Sequence, residues 1–138
     1  MDSAKPNLKF VEVNHTADIQ IIVYGRSLEE LFLHAGEGLY HIIGAQASRQ
    51  LCEQKKIELI EDDLETLLVV YLEELLFLAD QKLMVVNPKL GINNTTLSGE
   101  LPLAILEKIS VEVKAVTYHE MKVSYRGGTY QTKITFDI

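Results

Sequence analysis

Met121-Lys122-Val123-Ser124-Tyr125-Arg126-Gly127-Gly128-Thr129-Tyr130-Gln131-Thr132-Lys133-Ile134-Thr135-Phe136-Asp137-Ile138 is the stretch that decides the fold. Arg126-Gly127-Gly128 is a turn signal, and the flanking runs 121–125 and 129–138 read as the two arms of a β-hairpin. Along the second arm Tyr130, Thr132, Ile134, Phe136 and Ile138 fall on one face, and Gln131, Lys133, Thr135 and Asp137 on the other. Phe136 and Ile138 are expected to anchor this end in the core. Upstream, residues 109–118 alternate as a further strand, with Val111, Val113, Ala115 and Thr117 opposed to Glu112, Lys114, Val116 and Tyr118. Residues 83–86 and 93–103 are shorter or less regular β candidates.

The pattern changes towards the N-terminus. Ser27-Leu28-Glu29-Glu30 is a capping box: the Ser27 hydroxyl is placed to accept from the Glu30 N–H, and the Glu30 carboxylate to reach back. Leu28, Leu31, Phe32, Ala35, Leu39 and Ile42 follow at helical spacing, and Gly44 is a stop. Gly36 and Gly38 are unfavourable inside a helix and predict a close neighbour over that turn. Residues 56–60 alternate as a strand. Asp62 or Asp63 then caps a second helix with its stripe at Leu64, Leu67, Leu68, Tyr71, Leu75 and Leu78, ending between Ala79 and Lys82. That helix is apolar over a wide arc and is expected to be central. Residues 10–13 and 19–24 are two short strands about a turn at 14–18. Strands, then helices, then hairpins predict an α+β fold of two helices packed on antiparallel β-sheet. Residues 1–9 read as a polar lead-in and 10–138 as one compact domain.

The chain has 138 residues, 47% hydrophobic and 24% charged, the balance of an ordinary globular domain. Cys52 is the single cysteine, so no internal disulfide exists. A reducing, cytoplasmic setting and a buried or half-buried thiol are the expectations. Leu64–Ala79, the richest apolar stretch, is interrupted by Glu65, Glu73 and Glu74, and no membrane segment is predicted. The net charge of −7 argues against autonomous binding to a phosphate backbone. RNA, if involved, is reached indirectly through a basic protein partner. Zinc spacings, phosphate-binding glycine loops and nucleophile elbows are all missing from the sequence.

Three segments carry the remaining chemistry. Asn14-His15-Thr16-Ala17-Asp18 reads either as a turn capped by its own side chains or as a ligand or acid–base group supplied by His15 and Asp18. At the C-terminus the Ile138 α-carboxylate follows the Asp137 side chain, so two oxygen donors stand on adjacent residues. Clustered carboxylates repel unless a cation joins them, and hard oxygens suit calcium, manganese or magnesium; the alternative is an exposed acidic end. Lys114-Ala115-Val116-Thr117-Tyr118-His119 is the third, read either as a solvent-facing strand edge or as a functional strip.

Taken in order, these segments resemble the archease family. His15-Thr16-Ala17-Asp18-Ile19 is similar to its N-terminal signature, and residues 24–32 to the helix entry after it. Residues 63–68 and 71–76 resemble the central helix, and residues 114–119 with Phe136-Asp137-Ile138 its closing motifs. The likeness spans residues 10–138. The chain departs from the family pattern between Gly99 and Val111, where archeases often carry further Asp and His and this sequence is mostly apolar.

The resemblance implies a cytoplasmic accessory protein, not itself an enzyme. Its partner would be an RtcB-type RNA-splicing ligase in tRNA splicing and RNA repair, whose guanylylation and multiple turnover it promotes. It implies a divalent metal, calcium with manganese and magnesium as alternatives, at Asp18, Asp137 and the Ile138 carboxylate. His15, Lys114, Thr117, Tyr118 and His119 are expected to serve partner binding or activation. Two other readings stand beside it: a chaperone-like modulator of a tRNA methyltransferase, and a stand-alone metal-dependent hydrolase in which a bound ion activates water.

Overall fold

The first helix, α1 (Leu28–Ile43), starts where its capping residues place it. The Ser27 hydroxyl accepts from the Glu30 N–H at 3.0 Å, while the Glu30 carboxylate takes the Arg26 N–H at 2.7 Å, one residue before the cap. The helix ends at Gly44, whose left-handed backbone (φ 65°) lets its N–H turn back to Tyr40 and His41. In the computed structural model, residues 8–14, 18–118 and 120–138 are described. The second helix, α2 (Leu64–Asp80), is capped by Asp63, whose carboxylate accepts from the Thr66 N–H at 2.7 Å. That bond holds the Asp63 carboxyl below its ordinary range.

The strands are β1 (Phe10–Asn14), β2 (Asp18–Gly25), β3 (Gln46–Ile60), β4 (Leu83–Val85), β5 (Lys89–Asn93), β6 (Thr96–Lys108), β7 (Ala115–Thr117), β8 (Ser124–Arg126) and β9 (Thr129–Asp137). The fold is the expected α+β arrangement, with the antiparallel strands divided between two sheets. The first sheet runs β1-β2-β9-β7, with β8 also on β9. The second has β6 at its centre, with β3 on one side and β4 and β5 on the other. The helices lie between the sheets. α1 packs on β2, β1 and β9 and reaches β5, while α2 touches β7 of the first sheet and β3, β4 and β6 of the second.

Leu31, Phe32, Ala35 and Leu39 of α1 and Leu67, Leu68 and Leu72 of α2 are fully buried, with Ile21, Val23, Ile134 and Phe136 beneath them. A fully buried leucine or phenylalanine contributes about 1.5–3 kcal/mol over its exposed state, so this layer dominates stability. Both helix glycines mark close approaches. A Cβ on Gly36 would lie 3.0 Å from Leu75 Cδ1, and one on Gly38 would lie 2.7 Å from Ile21 Cδ1. Two carboxylates fasten a strand and a loop to the helix starts. Glu29 accepts from the Ile92 N–H at 3.0 Å and Glu65 from the Val123 N–H at 2.7 Å.

The structure corrects several local expectations. The strand expected at 56–60 begins ten residues earlier, at Gln46. Residues 111–114 are not a strand; β7 is confined to Ala115–Thr117, and Val113 and Val116, three apart, are both buried. Lys114 therefore precedes the strand and Tyr118 follows it, so the two do not share a strand face. Ile138 is 39% exposed, and Phe136 alone anchors the chain end. Cys52 is exposed; it lies on β3, which among the described residues pairs only with β6. Within the expected lead-in, residues 1–7 lie outside the described residues, whereas the Lys9 carbonyl accepts from the Tyr24 N–H and its ammonium pairs with Glu37 at 3.0 Å. The apolar stretch 101–106 is explained by β6, the central strand, where Leu101, Leu103, Ala104 and Leu106 are buried.

Candidate carboxylate site on the first sheet

β2 and β9 pair antiparallel with Asp18 directly opposite Asp137, Ile19 opposite Phe136 and Gln20 opposite Thr135. On the far side of β9, β7 places Ala115 opposite Asp137 and Thr117 opposite Thr135. Directly opposed residues project to one face, and alternate residues share it. The face turned from the helices thus carries two cross-strand rows: Asp18, Asp137 and Ala115, then Gln20, Thr135 and Thr117. The intervening row of Ile19, Phe136 and Val116 turns inward to the core.

This outer face is more enclosed than a solvated sheet surface. Gln20 and Thr135 are buried, and the Gln20 amide donates to the Thr135 hydroxyl at 3.2 Å. Asp18 is half-buried. Its Oδ1 atom and the Thr117 Oγ1 atom are shielded from solvent, and neither has a hydrogen-bond partner among the described residues. Ala115 contributes only a methyl beside Asp137, which leaves the exposed Asp137 carboxylate uncovered. The Lys114 N–H donates to the Asp137 carbonyl at 2.7 Å, so this lysine is tied by its backbone to the strand end carrying the carboxylate.

The arrangement brings together Asp18 and Asp137, with Lys114 and Thr117 at their side and Ile138 next in the chain. Tyr118 lies beyond β7 towards α2, where partial desolvation and then the carboxylates of Glu73, Glu61 and Asp63 hold its hydroxyl above the usual phenol range. His15 and His119 lie outside the described residues. Gln20 was not singled out from the sequence, although its place two residues after Asp18 on an alternating strand puts it on the same face. Two facing carboxylates offer hard oxygen donors, suited to calcium, magnesium or manganese more than to zinc. Among the described residues no group of three or more His, Cys, Asp and Glu is placed to hold a metal, so a complete coordination shell needs oxygens from beyond these two side chains.

The sequence model of the Archease protein family matches residues 10–138. The chain belongs to the archease family. It is 38% identical to the archease of Sulfolobus acidocaldarius over 94% of this chain and 99% of that one. With the archease of Sulfurisphaera tokodaii it shares 34% identity at the same coverage. The fold matches the solution structure of Methanobacterium thermoautotrophicum protein 1598 with a TM-score of 0.72 and 26% identity, covering 94% of this chain and 99% of that one. A crystal structure of the Thermotoga maritima archease superposes with a TM-score of 0.71 over 91% of this chain and 94% of that one, and at 24% identity attests the fold alone. The archease fold here has no helix long and apolar enough to cross a membrane among the described residues.

Proposed function

We propose that the protein is an accessory factor that activates an RtcB-type RNA-splicing ligase, promoting its guanylylation and multiple turnover in tRNA splicing and RNA repair. The observation that carries this reading is the cross-strand pairing of Asp18 with Asp137 in a chain of the archease family. Carboxylates directly opposed on neighbouring strands destabilise a sheet unless something offsets their repulsion. A divalent cation does so, and the shielded Asp18 Oδ1 has no hydrogen-bond partner among the described residues. Asp18, Asp137 and the terminal carboxylate of Ile138 would hold the ion, calcium with manganese or magnesium as alternatives. When bound, the ion supplies a fixed positive charge on an otherwise acidic surface.

The chain's own residues then present that surface to the ligase. The exposed Lys114 cation, anchored through its N–H to the Asp137 carbonyl, adds a charge beside the site. Thr117 shares that face through its place opposite Thr135, and Tyr118, His15 and His119 are further candidates for partner binding or activation. Net charge −7 favours docking on the basic walls of an RNA channel, with RNA met only through the ligase. The test is multiple-turnover joining of RNA ends by the ligase with and without one equivalent of protein. Faster guanylylation and turnover support the reading, and unchanged rates for both remove it.

A second reading comes from the family resemblance, and the Thermotoga maritima archease, which shares the fold, is described as a possible chaperone. On that reading the protein is a chaperone-like modulator of a tRNA methyltransferase. Affinity capture from extract separates the two, since the methyltransferase would then be retained and the ligase not.

A further inference from the structure

Helix α2 has one side that the described residues cover only in part. Tyr71 and Leu75 face α1, where the Phe32 and Tyr71 rings lie 6.0 Å apart and Leu75 approaches Gly36. The 3.6-residue period puts Thr66, Val70, Glu73 and Phe77 on the opposite side. Thr66 and Val70 are half-buried, Glu73 is exposed, and Phe77 is 55% exposed, the most exposed phenylalanine among the described residues.

Strands of both sheets border α2, which contacts β7 of the first and β3 of the second. On one side stands β7, the last strand of the first sheet, followed by Tyr118, itself 52% exposed. On the other stands β3, which among the described residues pairs only with β6. The Lys55 ammonium on β3 meets the Glu74 carboxylate at 2.9 Å and fixes that wall to α2. The register of β3 is irregular before Glu53 and regular from Glu53 to Ile60, so the regular part offers an unbroken row of unpaired backbone groups along its outer edge. Carboxylates lie near the stripe: Glu61, Asp62 and Asp63 immediately ahead of α2 and Glu73 within it, and after partial desolvation Glu73, Glu61 and Asp63 help hold the Tyr118 hydroxyl above the usual phenol range.

We propose that the stripe and the two sheet edges form a docking channel for an extended, lysine- or arginine-bearing segment of a partner protein, which lays apolar side chains on Phe77 and Tyr118 and cations against Glu61, Asp62 and Glu73. Charge selects the occupant. A second copy of this chain would bring the same acidic face and be repelled, and a nucleic acid would bring phosphates. The open β3 edge selects extended backbone, which can add as a further strand. The groove lies on the helix side of the first sheet, whereas Asp18 and Asp137 lie on its outer face. The proposal therefore stands whichever enzyme the carboxylate pair serves.

The test uses the full chain and a synthetic peptide of repeated Arg-Arg-Val-Val, which places both residue types on each face of a strand. About nine residues span Glu53–Ile60 at ~3.3 Å per residue. The same repeat with glutamate in place of arginine and a short single-stranded RNA serve as comparison probes. Amide chemical shifts should move along residues 53–60 and at Glu73, Phe77 and Tyr118 with the basic peptide only. Glu73→Lys and Phe77→Ser should each weaken binding on the order of tenfold. Glu107→Lys, at an exposed position near the end of β6 and outside the docking edge, should not. Should Phe77→Ser lower the melting temperature, Glu73→Lys, at an exposed position, decides alone. Shifts elsewhere, unaltered affinity in Glu73→Lys, equal binding of the acidic peptide, RNA bound in the channel, or a dimer buried through it would each overturn the proposal.

Discussion

Asp18 and Asp137 face each other across the β2–β9 ladder, the first residue of one strand against the last of the other. Such a pair of like charges costs about 0.2–1 kcal/mol. Neutralising one of them in Asp18→Asn or Asp137→Asn should leave the protein equally stable or more stable in a chelator. Calcium should reverse the order: a ligand at 100 times its Kd adds about 2.7 kcal/mol to the parent, and the variants should gain little. Thermal melts with and without calcium measure both. Variants that melt lower than the parent in chelator would indicate that the carboxylates serve the fold, not a ligand.

The terminal carboxylate has its own signature. Appending residues after Ile138 converts that carboxylate to a neutral amide, while the half-exposed Ile138 side chain and buried Phe136 stay in place. Metal affinity by calorimetry should fall on the order of 10–100-fold, as for loss of a ligand, with an unchanged melting temperature in chelator. Equal affinity in both chains would take Ile138 out of the site.

Much of this was legible because local chemistry decides it. Ser27 and Asp63 cap the two helices through their own side chains, and Gly127 and Gly128 take positive φ (60° and 83°) in the closing turn. Period-2 alternation held along β9, where Thr132, Ile134 and Phe136 are all buried. What could not be read depends on distant partners. The first ten residues of β3 carry polar and apolar side chains without alternation, because an edge strand with register shifts has no single buried face. The alternation at 109–118 misled, because Val113 is buried without belonging to a strand. The register that opposes Asp18 to Asp137 joins the two ends of the chain. Only resemblance to the archease family linked those residues in advance, and nothing in that likeness pointed to the partly covered stripe of α2.

Buried tyrosines make the fold sensitive to alkali. The Tyr40 hydroxyl accepts from the Val85 N–H at 3.0 Å, and burial pushes its pKa up from 10.0 to about 12. Above pH 10 the unfolded chain releases this proton while the folded one keeps it, so the stability present below pH 10 declines as pH rises towards 12. A shift of this size amounts to about 3 kcal/mol, and Tyr71, shifted the same way, adds to it. Tyr40→Phe should flatten this decline but lose about 1–3 kcal/mol at neutral pH, because the Val85 N–H is left without its partner. Urea unfolding across the pH range checks both; an unaltered slope in Tyr40→Phe would assign the decline elsewhere.

Gly25 and Gly38 are both close approaches, but they differ in what they meet. A Cβ at Gly38 strikes the flexible tip of Ile21, so Gly38→Ala should cost about 1–3 kcal/mol from crowding, reduced by up to ~1 kcal/mol from better helix propensity. At Gly25 the Cβ would lie 2.7 Å from Leu31 Cα, backbone that cannot rotate away. Gly25→Ala should therefore be the more damaging, above about 3 kcal/mol. Denaturant midpoints give the ranking, and equal or reversed losses would contradict it.

If the ligase requires the facing carboxylates, neutralising them should remove the activation. The measurement is the guanylylation rate of an RtcB-type ligase with one equivalent of parent protein, Asp18→Asn, Asp137→Asn or the double variant, each verified as folded by its melt. The parent should accelerate the reaction, and each single variant should lose on the order of 10–100-fold of that acceleration. A folded double variant that activates the ligase as well as the parent would contradict the account.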